Sequence, residues 1–402
     1  MSIMKKPLVV FKKLPLIVNS LLLIVIVSSV EYSIDVLLGD GSGIDFLNLS
    51  SMLLYFKILL VIGTSLYSLR SHLFIFNVLM LCFLCVFAEL VFFLLIEIKN
   101  PEYKEIKMHE INQSSVIIDP YIGFKNNPRA NVNAIKYNLV NGDTVYNVWY
   151  HIDSNGARKS PLRDSNDNKY ALFLGCSVTF GSGLSDNKTL PFCFDSCTNY
   201  KSYNYGVGSY GTQQVTATLE KKNIRDEIRE KSGIGLYVFI DDHVKRSNRS
   251  LKRIATWGGR HPDYVLKGDS LINNGLYKNN LLIFDHLLTF VLTKSTVLNY
   301  FNVDSPFTVG EKDFLHTAQL IFQAKKNYVR QFKNDAFYVV IAPGCKYDIT
   351  GYLKNKEIKF INMSKSFKIH KGNYISFKYD RHFNGEFNKT WARKLHEKID
   401  RL

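Results

Sequence analysis

Residues 169–183 read KYALFLGCSVTFGSG, and this stretch indicates the fold of the chain that follows it. Tyr170–Leu174 is a run of apolar and aromatic residues with the length of a buried strand. Ser177 comes directly after it, with Gly175 and Gly181 on either side, as in a tight turn. The stretch therefore predicts a strand followed by a sharp turn that exposes a serine hydroxyl, although a plain strand-to-helix turn has the same pattern.

Short buried runs continue to alternate with helical patterns as far as the end of the chain. The predicted strands are Tyr170–Leu174, Ser202–Tyr205, Leu236–Ile240 and Ala336–Ile341, and the predicted helices are Gln213–Lys231, Leu281–Tyr300, Lys312–Phe332 and Phe387–Ile399. This alternation implies an α/β domain with a parallel sheet and helices on both of its faces. Such sheets bind ligands beyond the carboxyl ends of their strands, so the chemistry is expected there.

Near the other end of the chain, residues 379–384 read YDRHFN and contain a candidate general base for Ser177. A serine needs a general base to take its proton, and the base needs an acid that fixes its tautomer. His382 and Asp380, two residues apart on one loop, supply both. Taken alone the pair is a weak signal, because a structural histidine has the same pattern. Three other histidines have an aspartate nearby: His243 after Asp242, His286 after Asp285, and His261 before Asp263.

Three segments together resemble the signature blocks of the SGNH (GDSL-like) hydrolases. Gly175–Gly183 resembles block I, Asn204–Gly211 resembles block II, and Asp380–His382, with Asn384, Gly385 and Trp391–Ala392 after it, resembles block V. Their order and spacing cover residues 169–402. The resemblance implies a flavodoxin-like domain that hydrolyses carboxylic esters through an acyl-enzyme. The serine, histidine and aspartate named above would be nucleophile, base and orienting acid, and no metal or organic cofactor is implied.

The resemblance also implies an oxyanion hole built from backbone N–H groups. One donor is expected from Ser177 and another from Gly208 or Ser209, since the Ser-Gly of block II in the family is reversed here. A backbone N–H donates equally well from either residue when the turn permits it. Cys176 stands where the family often has Asp or Gly.

The third oxyanion donor of the family has no direct counterpart here. The family has an asparagine in block III, but the corresponding strand here ends in Asp241-Asp242-His243. An ionised aspartate accepts hydrogen bonds and does not donate them. Either Asp242 is protonated, or His243 donates, or the hole has two amides only. A capped strand end is the structural alternative for this segment.

Residues 1–100 contain three apolar segments, Leu14–Val30, Met52–Leu69 and Leu73–Ile96. A helix crosses a bilayer with roughly 20 apolar residues, so all three are predicted to be transmembrane, the first being alternatively a signal peptide. Lysines precede the first segment and three aspartates lie in the loop after it. The positive-inside rule then predicts a multi-pass protein of the cytoplasmic (inner) membrane, with everything after the third segment on the extracytoplasmic side.

Two charged residues, Lys57 and Glu89, lie within these apolar segments. Counted from the outer ends, and with about 1.5 Å of rise per residue, their depths in the membrane agree closely. Charges at such depth are costly and usually paired. The two are predicted either to pair with each other or to reach the outer interface separately.

Residues 101–168 form a polar lead-in to the α/β domain. Asn141-Gly142 and Asn155-Gly156 are turn signals, so a small β element is predicted, and no chemistry is assigned to it. Among the later cysteines there is no CxxC pair. A disulfide between Cys193 and Cys197, or between Cys197 and Cys345, is compatible with an exported domain.

The net charge and the motifs limit the classes of partner that the sequence supports. The formal net charge of +16 comes from scattered lysines and arginines without a nucleic-acid-binding motif, so no nucleic-acid partner is expected. An external, tethered esterase implies an acylated surface glycan or cell-wall polymer, with acetyl the favoured acyl group. Two other functions share the pattern: an O-acyltransferase for surface polysaccharide, and a non-catalytic binding module of the same fold. The sequence does not determine the oligomeric state.

Overall fold

The computed structural model describes residues 72–99, 106–139, 141–160, 169–267, 270–306 and 308–402. They belong to two compact units. The larger unit comprises Glu102–His286 and Asp304–Leu402, and the smaller one includes Leu287–Val303. The predicted spans Leu14–Val30 and Met52–Leu69, and Lys57 with them, lie outside the described residues.

The bounds of the elements are as follows. The strands are β1 (Ile106–Ile111), β2 (Val116–Asp119), β3 (Gly123–Asn126), β4 (Asn131–Asn138), β5 (Thr144–His151), β6 (Lys169–Gly175), β7 (Tyr200–Gly206), β8 (Ser232–Phe239), β9 (Pro262–Lys267), β10 (Ser270–Leu276), β11 (Phe337–Ile341), β12 (Lys359–Asn362), β13 (Tyr374–Ser376) and β14 (Asp380–Phe383). The helices are α1 (His72–Lys99), α2 (Ser177–Phe180), α3 (Leu190–Cys197), α4 (Thr212–Lys221), α5 (Asp242–Ser247), α6 (Leu251–Thr256), α7 (Ile283–Lys294), α8 (Thr296–Tyr300), α9 (Glu311–Phe332), α10 (Thr350–Lys354) and α11 (Gly385–Ile399).

Five strands form a parallel sheet in the order β12-β11-β8-β6-β7. Numbered within this sheet alone, the order is the 2-1-3-4-5 of flavodoxin-like folds. Alternate residues of β6 face opposite sides, with Leu172 and Leu174 in one buried cluster and Ala171 and Phe173 in the other. Helices α4, α9 and α10 cover the first face, and α3 and α11 cover the second. The predicted α/β class, with a parallel sheet covered on both faces, is confirmed.

Two predicted helices differ from those in the structure. The first was expected to run to Lys231, but α4 ends at Lys221. The second was expected to be continuous, but it is divided into α7 and α8 at Ser295. The hydroxyl of Ser295 accepts a hydrogen bond from the backbone N–H of Leu298, 3.1 Å away, and so caps the second piece. The apolar periodicity of the segment does not reveal this break.

The lead-in folds as the predicted β element. Strands β1, β4 and β5 form an antiparallel sheet in the order β1-β4-β5, and β2 pairs with β3 in a hairpin. Val132, Ala134, Tyr146 and Tyr150 of this sheet form a buried cluster that also contains Phe180. Since Phe180 is the last residue of α2, the lead-in sheet packs directly against the turn that carries Ser177.

In the smaller unit, helix α1 contains the third predicted span, Leu73–Ile96. The carboxylate of Glu89 accepts hydrogen bonds from the hydroxyl of Ser295 at 2.5 Å and from the backbone N–H of Thr296 at 2.6 Å. It therefore lies at the N-terminus of α8, where a helix favours negative charge. A search of the described residues finds no helix that is both long and apolar enough to cross a membrane.

Three of the four cysteines of the larger unit pack into its core, whereas Cys197 is exposed. Cys193 lies in the cluster beneath α3 and α11, and Cys345 packs against the edges of both clusters. Both carry free thiols. Neither of the two disulfides considered from the sequence is therefore formed.

Candidate active site

The turn after β6 presents Ser177 as the sequence predicts. Ser177 is the first residue of the four-residue helix α2, and Gly181, which follows the helix, has the left-handed conformation with φ of 82°. A Cβ atom on Gly175, whose φ is 152°, would lie 2.3 Å from the hydroxyl of Thr179, and one on Gly206 would lie 2.3 Å from the backbone nitrogen of Phe180. Both glycines are therefore needed for α2 to fold back so closely onto the strand ends.

The second half of the site comes from the β13–β14 hairpin. Asp380 and His382 are two residues apart on β14, so both side chains project from the same face of the strand. Nδ1 of His382 lies 2.6 Å from Oδ1 of Asp380, and Nε2 lies 2.8 Å from Oγ of Ser177. The three residues predicted from two distant stretches of the sequence thus form one hydrogen-bonded chain, with the imidazole in the middle.

The carboxylate of Asp380 is ionised. Its side chain is 3% exposed, and burial alone raises its pKa. Hydrogen bonds and charge interactions with His382, and a hydrogen bond from Lys136, outweigh burial and hold the pKa well below its ordinary value. An ionised acid accepts a hydrogen bond from Nδ1–H, which leaves Nε2 free of a proton and able to accept the one on Ser177.

Lys136 is a functional candidate that the sequence reasoning missed. Its Nζ lies 2.9 Å from Oδ2 of Asp380, the oxygen that does not face His382. A signal was present: in the alternating strand Asn131–Asn138, Lys136 shares a face with Val132 and Ala134, which are both fully buried. A lysine on the buried face of a strand needs a partner, and here that partner is Asp380.

Arg158 is a second residue of the lead-in that supports the site. Its guanidinium is fully buried and donates to the backbone carbonyls of Phe180 at 2.8 Å and Gly181 at 2.7 Å. Its Nε lies 2.8 Å from Oδ1 of Asp186. The carbonyls at the end of a helix have no partner within it, so Arg158 satisfies those of α2. The lead-in, to which the sequence assigns no chemistry, therefore contacts both halves of the candidate site, through Arg158 at α2 and Lys136 at Asp380.

The predicted oxyanion donors lie at two neighbouring strand ends. As the first residue of α2, Ser177 has a backbone N–H without an acceptor inside the helix. Gly208 and Ser209 are the central residues of a turn that is closed by a hydrogen bond from the N–H of Tyr210 to the carbonyl of Val207, at 3.3 Å. The N–H of Val207 bonds to the carbonyl of Gly175 at 3.1 Å, which ties this turn to the end of β6.

The segment Asp241–His243, considered from the sequence as a source of a third oxyanion donor, does not provide an obvious donor. Oδ2 of Asp242 lies 3.2 Å from Arg246 and 3.6 Å from Arg253. Burial raises the pKa of Asp242, but the two arginines outweigh it and the pKa is lowered, so a protonated Asp242 conflicts with its surroundings. Asp241 accepts hydrogen bonds from the backbone N–H groups of Lys346 and Tyr347.

His243 is part of the core. It is 0% exposed, its ring stacks on that of Tyr237 with a centroid separation of 5.5 Å, and its Nδ1 lies 2.7 Å from the Tyr237 hydroxyl. Burial, assisted by the charge of Arg246, holds the pKa of His243 well below its ordinary value. The segment therefore has the contacts of a capped strand end, and two backbone amides are left as the candidate oxyanion donors.

Comparison with known proteins adds no relative, since no protein-family model and no curated protein matches the chain.

Proposed function

We propose that the chain is a serine ester hydrolase of the SGNH type. The observation that carries the proposal is the continuous chain of hydrogen bonds from Ser177 through His382 to Asp380, with distances of 2.8 and 2.6 Å. This arrangement is the one that activates a serine for attack on an ester carbonyl. A binding module has no need to align a serine, an imidazole and an ionised carboxylate.

The reaction proceeds in two steps. Nε2 of His382 takes the proton of Ser177 as Oγ attacks the ester carbonyl carbon, and the N–H groups of Ser177 and of Gly208 or Ser209 stabilise the oxyanion. His382 then gives the proton to the leaving alcohol, which departs and leaves an acyl-serine. Water attacks this acyl group by the same route, with His382 again as base, and the carboxylic acid and free Ser177 are released.

We further propose that the enzyme is anchored in the cytoplasmic membrane by apolar sequence within residues 1–100, with the site on the extracytoplasmic side. The support is the charge asymmetry of this sequence. An esterase in this position meets surface glycans and cell-wall polymers, so O-acyl groups on such polymers, acetyl above all, are the proposed substrates. The same triad transfers the acyl group to a sugar hydroxyl when an acceptor replaces water.

One labelling experiment tests both the nucleophile and the location. A membrane-impermeant fluorophosphonate is added to intact cells and to spheroplasts that contain the full chain, and the labelled residue is identified by mass spectrometry. We expect Ser177 to be labelled in spheroplasts without lysis, and Ser177→Ala to lose both the label and at least about 10⁴-fold of its kcat/KM on an aryl acetate.

Ser182→Ala, in the same turn, is the matched control and should keep the label and the activity. Labelling of the Ser177→Ala protein, or no labelling of the wild type even after lysis, would exclude the proposed nucleophile. Labelling that requires lysis would exclude the location. Acyl-sugar in place of free acid, after an acceptor glycan is added, would identify a transferase.

A further inference from the structure

The acid of the triad divides its two oxygens between two partners. Oδ1 of Asp380 faces Nδ1 of His382 at 2.6 Å and the backbone N–H of His382 at 3.0 Å. Oδ2 faces the ammonium group of Lys136 at 2.9 Å. The side chains of Lys136 and Asp380 are 19% and 3% exposed, so little water screens this ion pair. The carboxylate that orients the imidazole is therefore also paired with the ammonium group of Lys136.

The lead-in sheet holds Lys136 in register with the site. Lys136 lies on the central strand β4, opposite Met108 of β1 and Tyr146 of β5. The ring of Tyr146 packs against Gly183, where an added Cβ would lie 2.9 Å from it. The hydroxyl of Tyr150, on the same strand, accepts a hydrogen bond of 2.8 Å from the N–H of Gly183. These contacts fix the sheet to the segment after the nucleophile, and so fix Lys136 beside Asp380.

We propose that Lys136 is a positioning residue that orients Asp380 and sets the lower pH limit at which the site works. This inference rests on the proposed function, in which His382 must be neutral to accept the proton of Ser177. A cation beside the carboxylate weakens the attraction between that carboxylate and a protonated imidazole. Lys136 therefore disfavours the protonated, inactive form of His382 and keeps the base available at lower pH.

The other groups around Asp380 do not replace this charge. Tyr146 stays neutral, because burial first, and then Tyr150 and Asp380, raise its pKa. Glu110, on β1, is hydrogen-bonded to the backbone N–H and the hydroxyl of Ser115. Arg381 lies over the ring of Phe377, 4.9 Å from its centroid. Among the described neighbours, Lys136 is the cation whose ammonium contacts the carboxylate.

The test compares Lys136→Met with Lys136→Arg in the full chain. The rate of Ser177 labelling by the fluorophosphonate is measured between pH 5 and 9. Without the cation, the acid limb of the profile should move to higher pH by about 0.5–1 unit, the size expected for one partly screened charge at this distance. Lys136→Arg keeps a cation, so its acid limb should lie at the same pH as in the wild type. Lys136→Gln repeats the test should Met disturb the strand.

A second readout does not depend on catalysis by Ser177. Diethyl pyrocarbonate modifies neutral imidazole, so the pH dependence of its reaction with His382, followed by mass spectrometry, reports the protonation of this residue directly. The midpoint should rise in Lys136→Met and Lys136→Gln and return in Lys136→Arg, with the exposed His370 as the internal reference. Lys125→Met, which removes the ion pair to Asp119 at 3.1 Å in the same lead-in, is the matched control and should change neither profile.

The outcomes separate the two proposals. Unchanged midpoints and an unchanged acid limb in both Lys136→Met and Lys136→Gln would overturn the role of Lys136, whatever happens to the melting temperature. If Ser177 is never labelled but the His382 midpoint still rises, the effect of Lys136 on His382 stands and the proposed hydrolase function fails.

Discussion

Two of the segments that contain an aspartate close to a histidine hold the pair in different backbone conformations. In residues 380–382 the pair is two positions apart on a strand, which places both side chains on one face. In residues 241–243 the pair Asp242-His243 begins helix α5, where adjacent side chains project in different directions. Asp242 faces two arginines and His243 enters the core. The comparison teaches that spacing and backbone conformation together decide whether such a pair can cooperate.

The largest effect is expected at the histidine of the first segment. In His382→Ala, kcat/KM on an aryl acetate should fall by roughly 10⁴-fold or more, because Ser177 loses its base. The melting temperature should change little, since the His382 side chain is 31% exposed and Asp380 keeps Lys136 as a partner. Activity within tenfold of the wild type would remove the distinction between the two histidines.

At His243 we expect the opposite result, a loss of stability with little loss of activity. His243→Ala removes a buried ring and one of the hydrogen-bond partners of the Tyr237 hydroxyl, so the free energy of unfolding should fall by about 2–4 kcal/mol. The kcat/KM of the folded protein should stay within a few-fold of the wild type. Denaturant unfolding, together with kinetics at low temperature, measures both quantities. A loss of rate that matches His382→Ala, without a loss of stability, would place His243 in the chemistry.

The pH dependence of stability sharpens this prediction. The pKa of His243 is lower in the folded protein than its ordinary value of about 6.5, so the unfolded chain binds a proton that the folded chain does not. Below about pH 6.5 this group therefore destabilises the protein, by up to about 1.4 kcal/mol per pH unit. His261, whose pKa burial and then Arg246 lower to about 3, acts in the same direction. His243→Ala should reduce the slope, and His261 should account for part of what remains.

The smallest effect is expected at Asp242. Asp242→Asn weakens the ion pairs to Arg246 and Arg253, and because this carboxylate is 46% exposed the free energy of unfolding should fall by about 1 kcal/mol or less. Arg246 also donates to the carbonyl of Tyr210, beside the turn that contains Gly208 and Ser209. A less firmly held Arg246 should therefore lower kcat/KM slightly and not raise it. A rise of tenfold or more would instead show that the Asp242 carboxylate opposes the oxyanion, and that an asparagine there donates to it.

The sequence predicts best what depends on local pattern. The buried run Tyr170–Leu174, the glycines around Ser177 and the two-residue spacing of Asp380 and His382 each follow from one short stretch, and the structure brings these stretches together. The α/β alternation likewise predicts the sheet and four of its five strands. The edge strand Lys359–Asn362 escaped because it is short and only partly apolar.

What the sequence could not show depends on contacts between distant stretches. Lys136 and Asp380 are 244 positions apart in the sequence. Arg158 contacts backbone carbonyls, and because every residue has one, the sequence does not reveal these contacts. The roles of Asp242 and His243 were left open because a pattern of residues does not say which way a helix turns its side chains. The position of Ser295, which caps α8 and binds Glu89, was hidden for the same reason within an apolar stretch.

The hydrogen bonds between Arg158 and the turn that carries Ser177 have a consequence for how such proteins diverge. A recombination event that joined the lead-in of one ancestor to the α/β domain of another would bring together a guanidinium and a turn that had not been selected to fit each other. In the sequence, the connection between residues 160 and 169 resembles a domain boundary. Recombination at this point would nevertheless separate Arg158 from the turn that it supports. Residues 106–160 and 169–402 are therefore expected to be inherited as one unit, and changes at Lys136 should be accompanied by changes near Asp380 within a lineage.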